Sequence, residues 1–300
     1  MANINIVAGD SARTMNRIEL LKKIKEQLAG TNGFEIGDEK HILCEILEIS
    51  PAKMLLKDIF TDSEIKQVER AVEQMTMGKP LDKILGKKNF YGRDFVVNEN
   101  VLTPRKETEI LVEQSLEQLS TICSKNVDKI RVLDLCCGSG CCGLTIAKEW
   151  EKKGNVEVVL CDISPQALAI ATQNANNLQA INIKVVCGDM FEHLKREEKF
   201  DIIISNPPYI KSQDINSLDQ QVRDFDPILA LDGGDDGLQF YRIISKQAKN
   251  YLKKGGCVLV EIGYDQGKVV QKMFEENGFK THIVKDYSAN DRVVMAKFSD

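Results

Sequence analysis

The chain has 300 residues, of which 43% are hydrophobic and 28% are charged, as expected of a folded globular protein rather than a disordered one. Its net charge of −5 argues against a protein held to nucleic acid mainly by phosphate contacts. No apolar run approaches the ~18 residues that a membrane helix needs, so a membrane protein is excluded. No apolar run follows Met1 and the nine cysteines are scattered, so we expect no signal peptide, no disulfide scaffold and a cytoplasmic location.

The first segment, residues 1–79, carries apolar side chains at helical spacing. The clearest set is Leu20, Ile24 and Leu28. Further on, Thr61 and Glu64 have the spacing of a capping box, which marks the start of another helix. Because strand signals are almost absent here, we predict a small all-helical domain.

Residues 80–104 form a predicted linker. Gly78-Lys79-Pro80 ends the helical pattern, and residues 89–102 then alternate between apolar and polar side chains. Gly92 and Asn98-Glu99-Asn100 punctuate that stretch as turn signals. The linker is therefore expected to contain a β-hairpin.

Residues 105–300 alternate between short apolar strands and helices. The predicted strands are 131–136, 156–161, 183–187, 200–204, 257–262, 282–285 and 293–298. Ser164-Pro165 predicts a helix start, and a second helix is expected over 266–276, stopping at Gly278. Apolar strands separated by helices indicate a parallel sheet covered on both faces, which binds ligands at the carboxyl ends of its strands.

A glycine turn follows the first strand of this part. Gly138, Gly140 and Gly143 match G-x-G-x-x-G, and Asp162 ends the next strand, so a nicotinamide dinucleotide site has to be considered. However, Asp134 lies four residues before the first glycine, where a buried carboxylate would repel a pyrophosphate. A cationic ligand with an ammonium group, such as S-adenosylmethionine, is favoured, with a dinucleotide or a structural turn as alternatives.

The pattern around the turn resembles the first motif of the class I methyltransferases. In that interpretation Asp162 suits the ribose hydroxyls, Asp189 suits the adenine amino group, and Met190 lies against the adenine ring. Four cysteines in the turn form two adjacent pairs, unlike the spaced pairs of zinc sites, so no metal is predicted. They are Cys136, Cys137, Cys141 and Cys142.

Asn206-Pro207-Pro208-Tyr209 ends the fourth strand of this part. An amide or aromatic amino nitrogen is a poor nucleophile because its lone pair is delocalised. The Asn206 side-chain oxygen and the Pro207 carbonyl are candidates to accept its two N–H groups and favour attack on a methyl group. Tyr209 is a candidate to pack against the flat substrate group.

Asn-Pro-Pro-Tyr resembles the signature of methyltransferases that act on planar nitrogens, and further segments narrow the resemblance to the release factor glutamine methyltransferases, the HemK/PrmC family. These segments are 80–86, 90–92, 101–109, 227–231, 233–238, 241–242, 261–267 and 290–294. Two departures stand out: Lys106 replaces a usual proline, and Cys136-Cys137 replaces a common Gly-Thr. Neither touches a group assigned to chemistry.

The resemblance implies a class I methyltransferase fold for residues 105–300. This is a Rossmann-like, seven-stranded, mostly parallel sheet with helices on both faces. It implies methyl transfer from S-adenosylmethionine to the side-chain amide nitrogen, N5, of the glutamine in the Gly-Gly-Gln motif of class I peptide chain release factors. Residues 1–79 would dock that protein substrate. We expect a monomer without membrane or direct nucleic-acid binding.

The same resemblance, with the reasoning above, assigns site residues. Cofactor contacts are expected from Asp134, Cys136, Cys137, Gly138, Ser139, Gly140, Asp162, Asp189, Met190 and Asn206. Asn206, Pro207 and Tyr209 are the catalytic candidates, and together with Pro208 they would hold the substrate glutamine. Arg105 and Glu109 either shape the pocket or form an ordinary helix pair.

Three alternatives remain open at this point. The first is N5-methylation of a ribosomal-protein glutamine. The second is amino-methylation of a nucleic-acid base, which predicts a basic face or a target recognition domain. The third is a cofactor-sensing protein without catalysis, which would be favoured by loss of Asn206 or Tyr209, yet both are present.

Overall fold

The computed structural model describes residues 13–123 and 129–298. The chain divides into two compact units, with the division between Leu85 and Gly86. The elements of the first unit are β1 (Met15–Asn16), α1 (Arg17–Leu28), α2 (Glu39–Leu47), α3 (Pro51–Leu56), β2 (Ile59–Phe60), α4 (Asp62–Thr76) and α5 (Leu81–Leu85). Among the described residues, no helix is both long enough and apolar enough to span a bilayer.

The first unit is helical, and its core is the apolar stripe expected of amphipathic helices. Leu20, Ile24 and Leu28 are buried against residues of α2 and α4. The predicted capping box is confirmed, since Thr61 Oγ1 accepts from the Glu64 N–H and the Glu64 carboxylate accepts from the Thr61 N–H at 2.9 Å. The short antiparallel pair β1–β2 was not predicted, because two residues are too few to show a strand period.

The second unit opens with a β-hairpin of β3 (Lys87–Phe90) and β4 (Arg93–Val96). Tyr91 and Gly92 form its two-residue turn with φ of 51° and 71°, the backbone that a tight hairpin turn requires. The hairpin lies earlier than the predicted 89–102, because the chain after Val96 leaves the ladder for the turn at Asn98. Buried Phe90 and Phe95 pack into the core of this unit.

A sheet of seven strands forms the centre of the second unit. Its strands are β5 (Ile130–Leu135), β6 (Val156–Asp162), β7 (Ile183–Cys187), β8 (Phe200–Ser205), β9 (Leu252–Glu261), β10 (Phe279–Lys285) and β11 (Asp291–Phe298). They lie in the order β10-β11-β9-β8-β5-β6-β7. β11 runs antiparallel to β9 and β10, and the other neighbouring pairs are parallel. The predicted mostly parallel sheet is confirmed.

Helices cover both faces of this sheet. They are α6 (Glu109–Cys123), α7 (Cys141–Trp150), α8 (Pro165–Asn177), α10 (Gln239–Gln247) and α11 (Gly267–Glu276), whereas the short helix α9 (Gln220–Arg223) has no buried residue. α6, α7 and α8 bury their apolar residues on one face, whereas α10 and α11 do so on the other. The predicted helix starts and stops hold, since Ser164 Oγ accepts from the Ala167 N–H at 3.1 Å and Gly278 turns the chain after α11 with φ of 87°.

The strand order reverses beside β5. The chain proceeds from β5 to β6 and β7 on one side and then returns to β8 on the other side of β5. The loops after β5 and β8 therefore part in opposite directions, leaving a crevice at their carboxyl ends. Both sequence motifs, the glycine turn and Asn-Pro-Pro-Tyr, follow these two strands.

Candidate active site

A cavity of about 350 Å³ lies at the carboxyl ends of β5, β6, β7 and β8. It brings together most residues predicted from the sequence: Arg105, Asp134, Cys136, Cys137, Gly138, Ser139, Asp162, Asp189, Met190, Asn206 and Pro208. Four further predicted residues lie outside its lining: Glu109, Gly140, Pro207 and Tyr209. The position of each residue, described next, explains why some of them line the cavity and others do not.

The loop after β5 is shaped by left-handed backbone. Cys136, Gly138 and Gly140 have φ of 57°, 54° and 77°. Cys136 is unusual among them, because a side chain in this region is strained and glycine is preferred. Gly140 caps α7 and donates its N–H to the Cys137 carbonyl at 2.8 Å, so it shapes the turn from behind the cavity.

Asp134 is buried inside β5, with 2% of its surface exposed. Its Oδ2 accepts the Gly143 N–H at 2.8 Å, which ties the strand to the first turn of α7. Burial raises the pKa of Asp134 to about 7, opposed by the Gly143 hydrogen bond and reinforced by the nearby Asp162 charge. A cation placed here would stabilise the ionised carboxylate.

Asp162 holds the glycine turn from the end of β6. Its Oδ2 accepts the Gly138 N–H at 2.8 Å and its Oδ1 accepts the Ser164 N–H at 2.9 Å. A carboxylate has about four acceptor positions, so two backbone bonds leave capacity for ligand hydroxyls. Burial raises the pKa of Asp162 as well.

The loop after β7 supplies the next wall. Asp189 presents an exposed carboxylate, and Met190 is buried with its Sδ 3.7 Å from Cys136 Sγ. Cys187, which ends β7, is exposed, whereas most other thiols are buried. All nine cysteines are free thiols. Among the residues that the structure describes, no group of three or more His, Cys, Asp or Glu is placed to hold a metal ion.

Asn206 follows β8, whose last residue donates from Ser205 Oγ to the Leu135 carbonyl at 2.8 Å. The Asn206 Nδ2 donates to Thr108 Oγ1 at 3.4 Å, which directs this end of the amide toward the residue that precedes α6. Pro207 and Pro208 are buried, and Pro208 reaches the cavity wall.

Tyr209 is half-buried, with its ring against the apolar cluster that α10 and α11 cover. Its carbonyl accepts from Gln266 Nε2 at 3.1 Å. Burial, reinforced by the Glu261 carboxylate, raises the pKa of Tyr209 to about 12, so the phenol stays protonated at neutral pH. Because the Tyr209 ring packs here and does not line the cavity, it could stack on a substrate only if the ring rotated or the substrate extended to it.

A glycine-rich loop presses on the back of the Asn-Pro-Pro-Tyr turn. The Gly233 N–H donates to the Ile210 carbonyl at 2.8 Å. A Cβ on Gly233 would lie 2.8 Å from Tyr209 Cα, and one on Gly237 would lie 2.5 Å from the Tyr209 oxygen. Only glycine permits this approach, so the segment 233–238 supports the turn.

Arg105 and Glu109 bond to different partners. Arg105 lines the cavity and pairs through Nη2 with Asp226 Oδ2 at 3.2 Å. Glu109 instead accepts the Tyr91 N–H at 2.8 Å, which holds the strained hairpin turn. The charge of Arg105 thus belongs to the pocket wall, whereas that of Glu109 stabilises the hairpin.

Some of the lining was not predicted from sequence. It comprises Asn100, Val101, Leu102, Pro104, Thr108, Pro227, Leu229, Ala230, Gln239 and Phe240, among others. Most are apolar residues without a chemical signature, so no motif identifies them individually. The sequence pointed to most of these residues only through the segments that contain them, since 101–109 and 227–231 resemble the release factor glutamine methyltransferases.

The comparisons with known proteins agree with this geometry. A family model described as a methyltransferase domain matches residues 126–295. The chain is 36% identical over 286 residues to the release factor glutamine methyltransferase of Thermodesulfovibrio yellowstonii, covering 94% of this chain and 99% of that protein. It is 41% identical over 238 residues to that of Clostridium acetobutylicum, covering 78% and 81%.

Among solved structures, a release factor-specific protein-(glutamine-N5) methyltransferase of Alicyclobacillus acidocaldarius is 28% identical, with a TM-score of 0.42. The match covers 69% of this chain and 100% of that one.

Fold and family match together define a class I methyltransferase that uses S-adenosylmethionine as methyl donor. Within that class, the chain belongs to the family of release factor glutamine methyltransferases. The cavity fits this cofactor, because three carboxylates line it, from Asp134, Asp162 and Asp189. Such a lining suits a phosphate-free cation and disfavours the pyrophosphate of a nicotinamide dinucleotide.

Proposed function

We propose that this protein methylates N5 of the glutamine in the Gly-Gly-Gln motif of class I peptide chain release factors. The observation that carries the proposal is the cavity in which the cofactor loop and Asn206 meet at the carboxyl ends of adjacent strands β5 and β8. Relatives with this activity in their names cover almost the whole chain. The catalytic, cofactor and substrate roles below are part of the same proposal.

The carboxylates hold the cofactor. Asp134 would face its ammonium group, Asp162 would accept from its ribose hydroxyls, and Asp189 would accept from its adenine amino group. The loop 136–140 would contact the amino-acid part, and Met190 would pack against the adenine. When bound, S-adenosylmethionine supplies a methyl group made electrophilic by the sulfonium.

Asn206 and Pro207 hold the substrate amide. Asn206 Oδ1 accepts one N–H of the glutamine side chain and the Pro207 carbonyl accepts the other, which concentrates electron density on the nitrogen. Holding the amide in line with the methyl group would further favour the transfer. One N–H proton leaves after transfer, so no strong base is needed. Pro208 and Arg105 shape the entrance, and Tyr209 braces the turn.

We further propose that the helical segment 1–79 docks the release factor, that segment 80–104 links it to the catalytic part, and that the protein acts as a cytoplasmic monomer. Exposed apolar side chains in the first unit are consistent with a docking role. They are Ile18, Ile36, Leu55, Leu56, Ile59 and Met77.

The test is a methylation assay. The purified protein is incubated with S-adenosylmethionine and a class I release factor, and the peptides are mapped by mass spectrometry. A single added methyl on the Gly-Gly-Gln glutamine is expected, and a release factor with alanine at that position should stay unmodified. No transfer, with normal cofactor binding, would contradict the substrate and lead to ribosomal-protein glutamines, then to nucleic-acid bases.

A further inference from the structure

A second buried carboxylate lies beside the site without a role in the mechanism above. Glu261 ends β9 and is 2% exposed. Ser205 of β8 is in register with Val260 of β9, so Asn206 and Glu261 follow at the ends of neighbouring strands. Within the described part of the chain, Glu261 Oε2 has no hydrogen-bond partner. A carboxylate is costly to bury in this way, which points to a function.

Thr108 connects Glu261 to Asn206. Its side chain is buried, and its hydroxyl is near enough to the Glu261 carboxylate to act as a hydrogen-bond donor that lowers the pKa of that acid. Its Oγ1 also lies 3.4 Å from Asn206 Nδ2. The three side chains therefore form a continuous chain from the buried carboxylate to the cavity.

The direction of the protons in this chain follows from chemistry. An ionised carboxylate only accepts hydrogen bonds, so the Thr108 hydroxyl has to donate its single proton to Glu261. The Thr108 oxygen is then left as an acceptor, and the Asn206 group facing it has to be the NH₂. The Asn206 oxygen consequently points to the other side, where a substrate N–H needs an acceptor.

We propose that Glu261 and Thr108 are positioning residues that hold the Asn206 amide with its oxygen toward the substrate nitrogen. This rests on the proposed function, since it concerns how Asn206 receives the glutamine amide. Protonated Glu261 can donate to Thr108, whose own proton can then turn to Asn206. The amide is no longer held in one orientation, and the reactive geometry is lost.

The surroundings of Glu261 set the pH at which this happens. Burial raises the pKa of Glu261 to about 7, opposed first by the Thr108 hydrogen bond and then by the Arg292 charge. The other charged or titratable groups that face it are Arg105, Glu107, Cys142, Tyr209 and Tyr241. Arg292 is itself paired with Asp286 at 3.1 Å, which moderates its effect. Activity is expected to rise with pH through neutrality.

The first test measures kcat at saturating cofactor and release factor. Thr108→Val keeps the shape but removes the hydroxyl, and should lower kcat about 10- to 100-fold. Its cofactor Kd and melting temperature should stay near those of the wild type. Thr108→Ser keeps the hydroxyl and should recover most of the loss. Glu261→Gln should remove the inflection of kcat near pH 7. A Thr108→Val kcat within twofold of wild type, or a Glu261→Gln profile with the inflection intact, would overturn the proposal.

A second test does not depend on activity and so separates this inference from the proposed function. The side-chain amide of Asn206 is followed by NMR in ¹⁵N-asparagine-labelled protein and assigned by its disappearance in Asn206→Asp. Its signals should titrate near pH 7 in the wild type and stay constant in Glu261→Gln. An Asn206 signal that is insensitive to pH in the wild type would contradict the orienting chain, whichever substrate the enzyme methylates.

Discussion

Asp134 takes part in the fold and also lines the cavity proposed to bind the cofactor. One carboxylate oxygen is bound by the Gly143 N–H, and the same residue lines the cavity. The sequence predicted a buried carboxylate here but not its hydrogen bond to α7. The turn between the strand and the helix has no periodic pattern of residues from which the position of the Gly143 N–H could be predicted.

Cofactor affinity is expected to depend on pH through Asp134. Its pKa is raised to about 7, so the carboxylate is ionised above neutral pH and protonated below it. If Asp134 faces the cofactor's ammonium as proposed, only its ionised form attracts that group. The Kd for the cofactor should then increase as pH falls from 7.5 to 5.5, by at most about tenfold per pH unit. Calorimetry over this range provides the check. Asp134→Asn is the control, and it should bind the cofactor more weakly and with less dependence on pH. A wild-type Kd that does not change would refute the contact.

At Asn206 we expect chemistry and cofactor binding to separate. Asn206→Ala removes the acceptor that we propose for the substrate amide and should lower turnover at least ~100-fold, the typical effect of losing one such polar group. Cofactor affinity should remain within a few-fold of wild type by calorimetry, because the three carboxylates are untouched. A parallel loss of both properties would show that Asn206 mainly holds the cofactor.

Among the elements, α8 joins parts of the molecule that the sequence treats separately. Asn174 in its last turn is fully buried, and its Oδ1 accepts the Val96 N–H at 2.7 Å. Its Nδ2 donates to the Val96 carbonyl at 3.1 Å and to the Ser139 carbonyl at 2.9 Å. One side chain thus fastens the hairpin edge and the cofactor loop to the same helix.

Removing that side chain should destabilise the second unit. Asn174→Ala leaves buried backbone groups without partners, which costs about 1–3 kcal/mol for each group. We expect a clear fall in the urea midpoint together with weaker cofactor binding. Asn176→Ala, at an exposed position of the same helix, is the matched control and should change stability by less than about 0.5 kcal/mol. Equal effects of the two substitutions would mean that the Asn174 bonds contribute little.

The elements were largely predictable because their signals are periodic. Each predicted strand of the sheet appears, with ends shifted by a few residues. β9 begins at Leu252, before its predicted start, and the prediction missed this extension because Lys253 and Lys254 interrupt the apolar run. The pairing of Asn174 with Val96 could not be predicted, because a polar residue inside a helix reads as solvent-facing until its neighbours are known. The same holds for Thr108 and for the bond from Arg105 to Asp226.

For the whole molecule, the buried acids should reverse the usual response to mild acid. Asp134 and Glu261 have pKa values raised to about 7, and that of Asp162 is raised too. Between about pH 4.5 and 7 the folded state keeps protons that the unfolded state has lost, so stability falls as pH rises, by up to about 1.4 kcal/mol per unit and group. Glu157 acts in the opposite direction. Despite partial burial, its bonds to Lys129 and Arg131 lower its pKa to about 2, so it reduces stability as pH falls, but only below about pH 4.5.

The cofactor-free protein should therefore resist urea better at pH 5.5 than at pH 7.5. Saturating S-adenosylmethionine should narrow or invert the difference, because it binds the ionised cavity. Urea midpoints at the two pH values, with and without cofactor, measure this. A cofactor-free protein that is more stable at pH 7.5 would show that water or local motion relieves the burial of these acids.

The distribution of the thiols has a practical consequence for observing the enzyme at work. Burial raises the pKa of most cysteines, including Cys136, Cys161 and Cys257, which keeps them as unreactive thiols. Cys187 is exposed and lies two residues before Asp189 at the cavity edge. A thiol-reactive fluorophore added to the native protein is expected to label Cys187 first. Ligand binding and product release could then be followed as changes in its emission, without introducing a cysteine into the site.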